Sequence, residues 1–340
     1  MKKYFIIAAA ALVALAACTK NEIDTPKQNQ IKFNTVTGKA TKAPLSGTIY
    51  KTTDPTFGIF CYALADGKTW AANSADGQTY MNNVEISYNS TDKIWEPASV
   101  YYWPLSGSLT FVGYSPYGCA GTVAYAPATK ALTVTDFTVK AAAADQEDLM
   151  WATTNPDLDD NQSTYTSESA TSTLLGVNEV FHHALSQVKF NVKKAEGLDD
   201  YTITVNSITF NAYSKGTLTV TEDAPVWSAQ GTAIDYDTTG ADVEAPDFGE
   251  AFAAFGVANM PVPQTLAADT QKFTIEYSLK KGSVDLGSKT ETVDLLGTTV
   301  TAWAVNTIYN YNIVIDLKKI YFNPTIVEWE TGASQEITVQ

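Results

Sequence analysis

Tyr201-Thr-Ile203-Thr-Val205-Asn-Ser-Ile208-Thr-Phe210-Asn-Ala212 alternates apolar and polar residues, slips by one position at Asn206-Ser207, and then alternates again. Side chains of an extended chain point to opposite faces in turn, so each half of this stretch presents one apolar face. The slip predicts a bulge or sharp bend near Asn206-Ser207 that returns both apolar sets to the same side. The same period recurs downstream at Leu218/Val220, Phe273/Ile275/Tyr277/Leu279 and Tyr309/Tyr311/Ile313/Ile315/Leu317. Upstream it appears at Ile31/Phe33, Phe57/Ile59, Val84/Ile86/Tyr88, Leu109/Phe111, Leu132/Val134 and Val188/Phe190/Val192. Short runs of this kind, bounded by Gly, Pro, Asn and Asp, are the half-buried strands of antiparallel β-sandwiches, so an all-β fold is expected. Ala141 to Met150 predicts the one short helix. Thr153 to Gly176, polar and without an apolar period, predicts a long surface loop.

A chain of 340 residues suggests two domains, each able to bury a core. The boundary is expected just after the polar stretch, between Val177 and Leu185. It divides an N-terminal sandwich, 31–180, from a C-terminal one, 181–340.

The first eighteen residues carry an address. Lys2 and Lys3 precede an apolar run from Tyr4 to Leu12, and Leu15-Ala-Ala-Cys18 follows. A basic start, a short apolar core and small residues before a cysteine read as a secretory signal, 1–17, with a lipoprotein processing box. Cys18 is then the lipidated first residue of the mature chain. At about 0.8 kcal/mol per buried methylene, two or more acyl chains anchor a protein stably, here to a membrane outside the cytoplasm. Residues 18–30, polar from Thr19 to Gln30, read as a flexible spacer.

Composition narrows the chemistry. A net charge of −15 makes nucleic acid and anionic lipid surfaces poor partners. The two histidines, His182 and His183, are adjacent and point to opposite sides of an extended chain, too few for a triad or a zinc site. Asp157-Leu-Asp159-Asp160-Asn161 resembles the front of a calcium loop but lacks the glycine and terminal glutamate of an EF-hand, so a solvated acidic loop is expected. No phosphate-cradling glycine motif occurs, and no carboxylate pair is set apart as acid and base. The reading therefore assigns no catalytic residue, no metal and no cofactor, and expects a non-enzymatic protein. Cys61 and Cys119 either form one bridge in an oxidising envelope or serve as small buried hydrophobes. Trp70, Trp95, Trp103 and Trp227 lie in or near strand-like runs and are expected to pack in cores or at sheet edges.

Several segments together resemble the fimbrillin-like, or type V, pilin family. They are Phe57-Gly-Ile-Phe-Cys-Tyr62; Tyr101-Tyr-Trp103-Pro104 with Leu109-Thr-Phe111-Val-Gly-Tyr114-Ser-Pro116; and Asp148-Leu-Met-Trp-Ala152 with Phe181-His-His183-Ala-Leu-Ser-Gln-Val188. Near the end come Tyr309-Asn-Tyr-Asn-Ile-Val-Ile315 and Ile326-Val-Glu-Trp329-Glu-Thr-Gly332. The resemblance implies two tandem transthyretin-like antiparallel β-sandwiches in an outer-membrane lipoprotein that polymerises into surface fimbriae. It also implies a trypsin-like cut near the first strand, whose removal opens a groove that a neighbour's C-terminal strand fills. Ile31-Lys-Phe33 would belong to the expelled strand, and Gly38-Lys39-Ala40-Thr-Lys42-Ala43-Pro44 would hold the cut. The family usually presents arginine there, whereas every basic residue of this chain is lysine. A subunit cut after Lys42, or after Lys39, and an uncut anchor that keeps its lipid both fit. The donor segment is expected from Ile320 onward. Ile320 and Phe322 share one face, Pro324 interrupts the ladder, Val327 and Trp329 take the opposite parity, and Ile337 and Val339 form a last short strand. The implied partners are other fimbrial subunits, the outer membrane through the lipid, and a host or bacterial surface receptor. A non-polymerising surface lipoprotein that binds glycan or protein through its loops is the alternative.

Overall fold

The computed structural model of the chain describes residues 30–37, 56–91, 94–159, 164–166, 173–231, 233–238, 240–296, 299–317 and 320–328. Up to residue 183 the strands are β1 (Phe33–Thr37), β2 (Phe57–Leu64), β3 (Gln78–Asn89), β4 (Ile94–Pro97), β5 (Ser108–Ser115), β6 (Thr122–Ala126), β7 (Ala131–Thr138), β8 (Met150–Ala152), β9 (Asn155–Leu158), β10 (Thr164–Thr166), β11 (Thr173–Leu175) and β12 (Val177–His183). Beyond it come β13 (Ser186–Lys194), β14 (Tyr201–Tyr213), β15 (Lys215–Thr221), β16 (Ala224–Ser228), β17 (Ala233–Asp237), β18 (Val243–Glu244), β19 (Ala253–Asn259), β20 (Gln264–Thr265), β21 (Lys272–Lys281), β22 (Val284–Asp294), β23 (Ala302–Trp303), β24 (Thr307–Ile315) and β25 (Ile320–Glu328). One short α-helix, Trp70–Asn73, is present among the described residues. The all-β expectation holds.

The first sheet runs β2-β3-β4-β1-β12-β8-β5-β9, and β2 also pairs with β5. That extra pairing closes the strands from β2 round to β5 into a barrel, with β9 following β8 along the same edge of β5. Its interior is filled by Phe33, Phe57, Ile59, Cys61, Met81, Phe111 and Phe181. Phe57 meets Phe33 at 6.0 Å and Phe181 at 5.3 Å between ring centres, both edge-on. Alternate residues of β2 and β5 point the other way, and Phe60, Tyr62, Val112 and Tyr114 join a second, larger core. Burial on both faces is why Phe57–Tyr62 and Leu109–Tyr114 read as nearly unbroken apolar runs.

That larger core continues into the second half, where β19-β13-β24-β25 and β17-β14-β21-β22 form sheets with one buried face each. In β14 the pairing with β21 shifts between Val205 and Ser207, which places the bulge where the sequence puts its slip in phase. Ile203, Val205, Ile208 and Phe210 are all buried as a result. Among the described strands two pairings are parallel, β1 with β12 and β13 with β24. A further sheet, β16-β15-β7-β6, takes strands from both sides of residue 180. The boundary expected between residues 180 and 181 falls inside β12.

Two expectations are corrected, and the choice left open for Cys61 and Cys119 is decided. Ala141 to Met150 holds only a 3-10 turn at Ala143–Asp145, and Met150 begins β8. Gln146 decides this: its side chain bonds Lys140 O, Asn259 Oδ1 and Met260 N, tertiary bonds that outweigh a helix too short to stand alone. Within Thr153 to Gly176, expected as an irregular loop, the described residues include three strands, β9 paired with β5 and β10 paired with β11. Ladder bonds form these strands without an apolar period. Cys61 and Cys119 are free and buried, Cys61 inside the barrel and Cys119 in the larger core, so the bridge does not form. Trp70, Trp95 and Trp103 are buried, and half-buried Trp227 donates to Ala184 O at 2.7 Å, all in packing roles.

Candidate functional site

Strand β1 is the stave that closes the barrel. It touches β4 through one pair, Phe33 opposite Trp95, and runs parallel to β12 over five, from Phe33 opposite Val177 to Thr37 opposite Phe181. Just before it, Ile31 N donates to Tyr101 O at 2.8 Å and Gln30 bridges to Tyr102. Val177 N in turn donates to Lys32 O at 2.7 Å. Ile31 and Phe33 point inward and are fully buried, Phe33 also meeting Phe111 at 5.7 Å. Lys32 points outward and pairs with Glu96 at 3.2 Å. A hydrogen bond from Asn89, with Lys32 in support, holds the Glu96 carboxyl below the usual carboxylate range. Residues 30–37 thus lie in a slot between Tyr101, Tyr102 and Trp95 on one side and β12 on the other. Its apolar floor accepts large side chains at alternate positions. Taking this strand away leaves β4 and β12 each with an open edge.

On β12, Val177, Glu179 and Phe181 share the inward face, and Glu179 is fully buried. Its Oε1 accepts a hydrogen bond from Asn155 Nδ2 at 3.3 Å, and its Oε2 has no partner among the described residues. The side chain crosses toward β5, where a Cβ on Gly113 would stand 3.0 Å from Oε2. Burial pushes this carboxyl up to about 8, against a small lowering from Asn155. The sequence reading missed Glu179. Its signal is a glutamate in the apolar phase of Val177-Asn-Glu-Val-Phe181.

A family model described as fimbrillin-like matches residues 41–329. The chain belongs to the fimbrillin-like family. The match begins after β1. Among solved structures, a fimbrial protein from Bacteroides vulgatus superposes with a TM-score of 0.62 at 20% identity, covering 88% of this chain and 99% of that one. A protein from Parabacteroides distasonis, provisionally assigned to cell adhesion, gives a TM-score of 0.51 at 10% identity, with 91% and 100% covered. At these identities the likeness establishes the fold. No curated protein sequence matches the chain.

In this fimbrillin-like chain the expected site residues fall unevenly. Cys18, Lys39, Ala40, Lys42, Ala43, Trp329, Ile337 and Val339 lie outside the described residues. Ile320, Phe322 and Val327 lie on β25, opposite Ile315, Ile313 and Ile308 of β24. Pro324 does not interrupt the ladder. It sits opposite Tyr311 in unbroken register, which β25 tolerates as the outermost strand of its sheet, where the missing N–H can face away from β24. His182 and His183 diverge: His182 Nε2 lies 2.9 Å from Thr153 Oγ1 with its ring stacked on Trp151, and His183 Nδ1 lies 2.8 Å from Asp148. Asp157, on β9, accepts a hydrogen bond from Trp70 N at 2.7 Å, which ties the start of the short helix to that strand. Among the described residues no three His, Cys, Asp or Glu side chains gather to hold a metal, and no helix is long and apolar enough to cross a membrane.

Proposed function

We propose that this fimbrillin-like protein is a structural subunit of surface fimbriae, delivered to the outer membrane as a lipoprotein through Cys18 and assembled by strand replacement at the β1 slot. The observation that carries the reading is the place of β1, a strand near the chain start that alone joins β4 to β12. Cutting after Lys42, or after Lys39, separates β1 from the rest of the chain. Burial still holds the cut strand, since each large apolar side chain such as Ile31 or Phe33 contributes roughly 1.5 to 3 kcal/mol. A replacing strand must supply equivalent side chains and renew the main-chain bonds. The segment from Ile320 to Val339 offers such side chains, and a donor that passes from one copy to the next propagates as a fibre. Adhesion to a host or bacterial surface is the outcome of such a fibre, not a chemistry of its own.

N-terminal sequencing of surface fimbriae tests this. Chains beginning at Ala43, with Ala40 as the lesser start, are expected, and Cys18→Ala should abolish acyl labelling of the precursor. Removing Ala333 to Gln340 should leave a folded monomer that forms no ladder on native gels. Fimbriae built only of Cys18-initiated chains overturn the proteolytic trigger. Normal ladders from the truncated chain overturn the terminal donor.

A further inference from the structure

We propose that Glu179 couples closure of the barrel to the uptake of one proton, so that whatever strand occupies the β1 position is held more tightly as the pH falls. The part concerning a strand from a second copy rests on the assembly reading above; the part concerning β1 itself does not.

The placement carries the argument. Glu179 stands on the inward face of β12, and its backbone is in register with Thr35 of β1. Around the carboxyl, β2 presents Ile59, β5 presents Gly113, β8 presents Ala152 and β9 presents Asn155. None of these supplies a positive charge. The titratable group on those strands that senses Glu179 is the Cys61 thiol, which burial first and Glu179 second push well above its ordinary value, so it stays neutral. An ionised carboxylate with one oxygen unpartnered in apolar surroundings is costly, and the group takes a proton instead.

Removing β1 opens the ring between β4 and β12, beside Glu179. Water then reaches the carboxyl, which returns toward the ordinary glutamate value of about 4.3. The closed state therefore holds a proton that the open state releases. Because the closed-state affinity is the raised one, the stabilisation is complete below about pH 4 and is lost as the pH rises toward the closed-state value. Between about pH 5 and pH 7 the opening equilibrium should change by up to about tenfold per pH unit. The outward Lys32–Glu96 pair works in the opposite sense and in a separate, more acidic window, through the part of the Glu96 lowering that Lys32 adds to the larger one from Asn89 of β3.

The test uses the uncut monomer, which still carries β1, and Glu179→Gln, which keeps the shape and a hydrogen-bonding amide. Amide exchange of β12, corrected for intrinsic rates, should report up to about tenfold more opening per pH unit in the wild type and a flat response in the variant. Carbon-detected titration of glutamate carboxyls in the wild type should show one group still protonated at neutral pH, and this reading stands even if the variant does not fold. Equal slopes in both proteins, or every glutamate titrating in the ordinary range, overturn the proposal. An intact titration with no polymer ladder at any pH overturns strand replacement and leaves the proton coupling standing.

Discussion

The barrel and the sandwich deal with the same hazard in opposite ways. A strand with an unpaired edge invites pairing with another chain. The barrel removes its edges by closure, with β1 as the last stave. The sandwich keeps its edges and blunts them chemically. Strand β22 is outermost in its sheet, and Lys289 and Glu291 stand opposite Tyr277 and Ile275, charges on the core-facing side of an overhanging rim. Strand β25, outermost in the other sheet, carries Pro324. An edge hidden by closure can be uncovered on demand, whereas an edge blunted by charge or proline is permanently quiet. If strand replacement drives assembly, as proposed above, that difference assigns the regulated pairing to the barrel.

The sharpest way to break this comparison is Phe33→Ala. It should cost about 3 to 5 kcal/mol, as should Phe190→Ala in the sandwich, but only the former should speed amide exchange in β12 ahead of global unfolding. Equal acceleration by both would mean that closure by β1 is not a separable event. Gly58→Ala asks how far the barrel wall is fixed from outside. The new Cβ would overlap the Tyr114 ring and phenol oxygen, and Tyr114 is itself held by a 2.7 Å bond to Asn83. A loss of about 1 to 3 kcal/mol in chemical denaturation is expected. The smallest effect on stability, within about 0.5 kcal/mol, should come from Lys289→Val with Glu291→Val. Val284 and Leu286 on the same strand are already 59% and 49% exposed, so light scattering should show concentration-dependent association. Persistence as a monomer would show that the charges are not what silences this edge.

Alternation made much of the fold legible. It records phase, which is why a bulge could be placed at Asn206-Ser207 from residue types alone. It does not record direction or partner, so the parallel pairings of β1 with β12 and of β13 with β24 left no trace in either strand. Closure of the barrel was invisible for the same reason, because it depends on β2 meeting both β3 and β5. Strand β9 was hidden by its composition: Asn155-Pro-Asp-Leu158 has one apolar residue, Leu158, and is extended because β5 offers it a ladder. The inward position of Ile31 and Phe33 was legible, yet that they plug a ring was not. Glu179 was readable as a charge out of phase with its neighbours, although its isolation depends on Gly113, Ile59 and Ala152 arriving from three other strands.

Six paired positions between β7 and β15, from Thr138 opposite Lys215 to Ala131 opposite Thr221, tie the chain before residue 180 to the chain after it. Antiparallel ladder bonds lie across the strands they join. A pull along those strands strains the whole row together, and a pull across them opens it one rung at a time. The two halves therefore meet as a lap joint, with its strength set by the direction of tension, and a subunit strung in a fibre would be strong or weak according to how that joint is aligned with the fibre axis.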